Sequence, residues 1–363
     1  MAPQMGESEA RTRFHSGLVI PAMPLALSPE RTFDPVSQRA LLRYYVDAGA
    51  GGIAVGVHAT QFAIRDTPGF FREVLAFAME QTSVWAGHRN AAVVMMAGVC
   101  GTTEQATSEA RLARSLGYDA GLLSLAALPL ASIDEMIDHV RAVAREIPVV
   151  GFYLQTAVGG RRLPYEFWRR FARVENTWGI KIAPFDRYAT LEVIRGVADG
   201  GRAPELALYT GNDDSIVTDL LTPFRFDGPS NLEPIRIVGG LLGHWGVWTK
   251  RAVEIFHACR EIAGGRAPLT TEVLARAAEV TDMNGAVFDA ANGFAGCLPG
   301  VHTVLQGQGL LQSPHCLDPQ ERLSPGQAEE IARVRRAYPH LTDDDFVREH
   351  LDTWRGSAGT ADG

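Results

Sequence analysis

The sequence predicts an α/β protein, a (β/α)8 TIM barrel carrying a C-terminal helical extension. Three observations predict it. Eight short apolar runs occur without polar/apolar alternation, as in parallel strands buried on both faces. Segments with helical period and capping signals separate them. After Gly264–Gly265 the strand-like runs cease and only helical segments follow. At 363 residues the chain is long enough for two domains, but single α/β barrels routinely exceed about 250 residues, so length alone does not divide it.

Taken in order, residues 1–15 are polar with no apolar signal core and read as a disordered arm. The predicted strands are 17–25 (GLVIPAMPL), 51–57, 91–99, 120–126, 148–155 (PVVGFYLQ), 178–183 (WGIKIA), 206–211 and 235–242. The first helix opens at Asp34–Pro35, a cap followed by a first-turn proline, and closes at Gly49. Another begins at Thr102 or Thr103 and ends at Gly117, and SIDEMIDHVRAVAREI and YATLEVIRGVADGG repeat the scheme. No GxGxxG turn follows the first strand, which disfavours the rival architecture, an open doubly wound sheet. The barrel is therefore assigned to 16–265, with an irregular insertion at TPFRFDGPSNLEP. Residues 266–363 form the helical region, which covers the barrel, makes an oligomer contact, or does both.

The net charge of −8, without a block of like charges, argues against nucleic acid as a partner. No apolar run reaches the roughly 18 residues of a membrane span. Cys100, Cys259, Cys297 and Cys316 show no CxxC or metal-ligand spacing, so a cytoplasmic protein with reduced, buried thiols and no metal site is expected.

Barrel active sites form at the C-terminal ends of the strands. Strand two offers His58, Thr60 and Gln61, strand five Tyr153 and Gln155, strand six Lys181, and strand seven Asn212, Asp213 and Asp214. Lys181 stands in an apolar run, where desolvation lowers an amine's pKa and frees it to attack ketones. The alternative is a head group reaching a rim carboxylate such as Asp186 or Asp213. Tyr153, one strand earlier and 28 positions before the lysine, is either a proton carrier or an aromatic plug. Gln155 is a candidate for orienting a substrate hydroxyl or carboxylate. Asn212–Asp213–Asp214 either caps the following helix or reaches the mouth. Gly239 and Gly240 would fit close packing at a barrel corner.

The tyrosine, the GIK lysine and their spacing resemble dihydrodipicolinate synthase and N-acetylneuraminate lyase. PAMP (21–24), DAGAGGIAVGV, AGVCGTTEQA, LYTGNDD and FDAAN (288–292) extend the likeness over roughly residues 16–310. The resemblance implies a class I aldolase-type lyase, needing neither metal nor organic cofactor, with pyruvate or another 2-oxo acid as its small-molecule substrate. It implies Lys181 as the Schiff-base residue, Tyr153 as the proton relay, and a homodimer or homotetramer. Substrate contacts are expected from Val57, His58, Thr60, Gln155, Asn212 and Gly239.

The sequence also departs from that family. In GVHATQ, Val57 and His58 stand where the family has carboxylate-binding hydroxyls, and Thr60 where it has glutamate. His58 either donates to the carboxylate, serves as a new acid/base, or satisfies a local carbonyl. Ala127 and Leu128 replace the family's tyrosine pair, and the Asn-x-Pro after the strand-five tyrosine is missing. Arg161 and Arg162 are either surface groups or a substitute carboxylate clamp. These departures argue against authentic dihydrodipicolinate synthase activity. They leave aldol cleavage or condensation as the expected chemistry. The alternatives are dehydration of a keto-deoxy sugar acid and a barrel that binds its oxo acid without turnover.

Overall fold

The computed structural model describes residues 6–226 and 233–356. Its frame is eight parallel strands, β1 (Val19–Pro21), β2 (Gly52–Val55), β3 (Val94–Val99), β4 (Ala120–Ser124), β5 (Val149–Leu154), β6 (Thr177–Ala183), β7 (Ala207–Thr210) and β8 (Ile237–Leu242). From β2 to β8 each strand pairs with the next in the chain, and β8 pairs with β1. A parallel bridge between Ala22 and Ala54 joins β1 to β2 and closes the barrel. Side chains alternate across each strand. Ile20, Met96, Leu122, Val150, Phe152, Tyr209 and Leu241 pack inside the barrel. Val19, Val55, Met95, Leu123, Tyr153, Ile180 and Leu208 pack outward against the helices.

The helices start where the sequence supplies caps. Asp34 Oδ1 accepts the amides of Val36 and Ser37 at the head of helix Pro35–Ala48, which ends at Gly49 with φ 96°. Ser132 and Glu135 form a reciprocal capping box before Ile133–Ala144. Of the predicted irregular insertion, residues 227–232 lie outside the described residues. Phe224 and Ile235, on either side of them, pair as an antiparallel bridge. Among the described residues, no helix is long and apolar enough to cross a membrane.

The expectation of a disordered arm over 1–15 needs correction from Glu7 onward, while its residues 1–5 lie outside the described residues. Glu7–His15 is a helix whose Ala10 and Phe14, one turn apart, are fully buried. An i,i+4 apolar pair is enough to seat a helix that is otherwise polar. Phe14 stacks on Tyr209 at 4.4 Å and packs against Trp178 at 6.0 Å, plugging the N-terminal end of the barrel. The Tyr209 hydroxyl donates to the Phe14 carbonyl at 2.6 Å. Phe14→Ala is expected to cost about 3–5 kcal/mol through the cavity it leaves, read as a lowered denaturant midpoint at unchanged m-value.

The helical region covers the other end. Helices Thr271–Val287 and Cys297–Gly307 bring Phe288, Cys297, Leu298 and Val301 over the barrel mouth. Helices Gln327–Ala337 and Asp344–Arg355 follow, and the last packs on Pro35–Ala48. Buried Trp354 donates to Asp47 at 2.8 Å. Asp343 accepts both the Tyr44 hydroxyl, at 2.8 Å, and the Lys250 amide, at 3.0 Å.

Candidate active site

At the C-terminal ends of the strands, beneath Phe288, Leu298 and Val301, lies a cavity of about 560 Å³ including its opening. Its polar side chains are His58, Gln155, Lys181, Asp213 and the Cys297 thiol; the remaining wall is apolar or glycine. Among the described residues, no group of three or more His, Cys, Asp or Glu could hold a metal ion.

Lys181 projects inward from β6 and is 6% exposed. Its Nζ lies 4.4 Å from the centroid of the Phe152 ring. No hydrogen bond or ion pair fixes that amine among the described residues. Gly211 makes the space for its stem, since a Cβ there would stand 2.8 Å from Lys181 Cε and 2.7 Å from Ala183 Cβ. Burial pulls the Lys181 pKa down to about 8, with Asp213 and Cys297 opposing the fall. Asp213 is 4% exposed, and its Oδ1 accepts the His244 amide at 2.8 Å. Burial pushes its carboxyl up to about 7, against the pull of that amide and of Lys181. Each group thus favours the charged form of the other, against the burial that both share.

His58 reaches the cavity from the loop after β2. Burial, and then the charge of Lys181, hold its pKa down near 4, so the imidazole is neutral. The loop is built to hold it there. Gly56 turns with φ 73°. Thr60 Oγ1 donates to the Met23 carbonyl at 2.7 Å and accepts the Gly56 amide at 3.0 Å. Arg65 is paired with Glu109 at 2.9 Å and donates to the carbonyls of Gly56 and Gly98 at 3.1 and 3.0 Å, tying the ends of β2 and β3 together. Val57 adds apolar wall, and Gln155 enters from the loop after β5.

Four of the residues expected in the site stand elsewhere. Tyr153 faces outward, its ring 5.6 Å from that of Trp168. Pairing of β5 with β6 slips by one residue between Val149 and Val150, so Phe152, not Tyr153, sits opposite Lys181. A one-residue slip moves a side chain to the other face of the strand. Burial raises the pKa of the Tyr153 hydroxyl, and the neighbouring Leu163 amide opposes that rise. Tyr153→Phe should therefore change kcat/KM less than about threefold while costing about 1 kcal/mol of stability, measured by turnover and urea denaturation in parallel. Thr60 is consumed in pinning its loop. Asn212 is a buried bracket: Nδ2 donates to Thr190 and Asp219, both at 3.0 Å, and Oδ1 accepts the Phe185 amide at 3.1 Å. Gly239 lies deeper, where a Cβ would stand 2.5 Å from the Leu18 carbonyl and 2.7 Å from the Tyr209 ring. It packs the barrel and admits no substrate. Arg161 donates to the carbonyls of Leu128 and Ala131, so it supports a loop and clamps nothing in the cavity.

Asp213 was legible on one count. Ala207, Tyr209, Gly211 and Asp213 share a phase along β7, whereas Asn212 is out of phase with them. Phe152 shares the inward phase of Val150 and Leu154 along β5, but the slip, which skips Trp178 of β6, leaves no mark on the residue count that paired Tyr153 with Lys181. Phe288, Cys297, Leu298 and Val301 come from far along the chain, and no local pattern points them at Lys181.

No protein-family model and no curated protein matches this sequence. Solved structures match it at the level of fold. Dihydrodipicolinate synthase from Oceanobacillus iheyensis aligns over 92% of this chain and 100% of its own, with TM-score 0.69 and 16% identity. The enzyme from Acinetobacter baumannii, solved with pyruvate, aligns over 88% and 98%, with TM-score 0.69 and 17% identity. N-acetylneuraminate lyase from Fusobacterium nucleatum aligns over 89% and 99%, with TM-score 0.67 and 16% identity. With a lysine-bearing cavity at the strand ends and helices packed over it, the chain has the (β/α)8 fold of dihydrodipicolinate synthase and N-acetylneuraminate lyase.

Proposed function

We propose that this protein is a Schiff-base-forming lyase of aldolase type, a divergent relative of those enzymes, acting on a 2-oxo acid. The observation that carries the reading is Lys181, a buried amine without a hydrogen bond among the described residues, in a largely apolar cavity at the C-terminal end of the barrel strands, with its pKa lowered to about 8. Such an amine is nucleophilic near neutrality.

In this reading neutral Lys181 adds to the C2 carbonyl, takes up one proton from solvent and expels water, leaving a protonated imine. Asp213, as carboxylate, takes the proton of the C4 hydroxyl. The C3–C4 bond breaks, its electron pair passes to the imine nitrogen as an enamine, and an aldehyde leaves. C3 then recovers that proton from Asp213, and water hydrolyses the protonated imine to release pyruvate, the free amine and the proton first taken from solvent. Asp213 thus does the work expected of Tyr153, and a group titrating near 7 suits both directions of that transfer. Neutral His58 and Gln155 each have an N–H to donate to the substrate carboxylate. Phe152 opposite the lysine would favour a barrel that binds without turnover, were no other proton carrier beside it.

The same reading carries a cytoplasmic homodimer or homotetramer, compatible with the bare apolar side chains of Leu130 and Tyr188. Borohydride reduction in the presence of pyruvate, followed by peptide mass spectrometry, tests the proposal. A reduced adduct on Lys181 supports it, and no adduct with any 2-oxo acid ends it.

A further inference from the structure

We infer that the substrate chain beyond the carbonyl is apolar, an aryl or branched-alkyl 4-hydroxy-2-oxo acid that releases an apolar aldehyde, and that polyhydroxylated oxo acids are rejected. The inference rests on the Schiff-base reading and narrows it.

The polar groups of the cavity are few enough to assign. Lys181 and Asp213 are committed to the reacting carbons. His58 and Gln155 are the two neutral donors that remain for the carboxylate. Only the Cys297 thiol is left, buried and held protonated because burial and neighbouring Asp213 push its pKa up. An S–H is a weak donor and a weak acceptor. A sugar-derived acid brings several further hydroxyls, each needing a partner once it leaves water. The remaining side chains of the wall supply none for them.

What it supplies instead is aromatic and aliphatic surface. Phe152 lies beside the amine. Phe185 is held at φ 52°, with its amide bound to Asn212 at 3.1 Å and its ring edge-on to Phe294 at 5.4 Å. Phe288 leans over the mouth, where any Cβ at Gly243 would meet its ring at 2.7 Å. Leu154, Leu298 and Val301 complete the chamber. Fixed rings of this kind favour a planar apolar guest through stacked or edge-on contacts.

The test is pyruvate release from two 4-hydroxy-2-oxo acids, one with a phenyl group at C4 and one a keto-deoxy hexonate, with borohydride trapping by pyruvate run in parallel. The expected result is a Lys181 adduct with pyruvate and a kcat/KM at least about 100-fold higher for the phenyl substrate. Equal or better turnover of the hexonate, with the adduct still formed, overturns the apolar assignment and leaves the lyase reading intact. Absence of any adduct overturns the lyase reading, and this inference falls with it.

Discussion

Lys181→Met protein is expected to give no borohydride-reducible adduct with pyruvate and to lose turnover by at least about 10³-fold, as when an enzyme loses its nucleophile. Methionine fills the same channel beside Gly211 without a charge, so the fold survives. Stability should in fact rise. In the unfolded chain the lysine holds its proton to about pH 10, whereas in the folded protein it releases the proton near 8. Below 8 the folded state therefore carries the full cost of a poorly solvated ammonium, and that cost fades as pH climbs from 8 toward 10. A melting temperature higher than wild type by about 2 °C or more at pH 7, with the gap narrowing at pH 10, is the expected calorimetric result. An adduct that persists on another residue would remove Lys181 from the mechanism.

Asp213→Asn separates proton transfer from imine formation. The amide keeps an oxygen for the His244 N–H, so the turn after β8 is preserved. Adduct formation with pyruvate should continue, while carbon–carbon cleavage falls by about 10²–10⁴-fold, the range for a lost general acid/base. The pH profile supplies a second readout. In wild type the rate of adduct formation rises with pH through about 8 as the amine loses its proton. The Asp213 carboxylate favours the ammonium and so holds that midpoint up. Removing the carboxylate must move the midpoint to lower pH. Unchanged cleavage in Asp213→Asn would pass the proton-carrying role to His58.

The two residues at the centre of these predictions were legible in the sequence to different degrees. A lysine in an unbroken apolar run is costly enough to single out Lys181, though the run alone left open a head group reaching Asp186 or Asp213, and eight such runs made the barrel legible. Tyr153 misled because a count of 28 residues ignores a slip in strand pairing, and one residue of slip exchanges core face for helix face. Thr60 and Asn212 misled for a different reason. Short polar side chains at strand ends serve loop geometry as readily as they serve a ligand, and here every hydrogen-bonding atom they carry binds within the protein. The arm at the N-terminus looked disordered because its apolar content is confined to Ala10 and Phe14, and their value depends on a barrel bottom that no local window reveals.

The lid of Phe288, Leu298 and Val301 has a consequence for how the protein is made. These residues follow Lys181 by more than a hundred positions. At a synthesis rate of about 5–20 residues per second they leave the ribosome on the order of ten seconds after the lysine does. Through that interval the amine stands in water and is mostly protonated at neutral pH. On the proposed Schiff-base reading its reactivity rises when helices Thr271–Val287 and Cys297–Gly307 close over the cavity, so the nucleophile forms inside the enclosure that controls what reaches it.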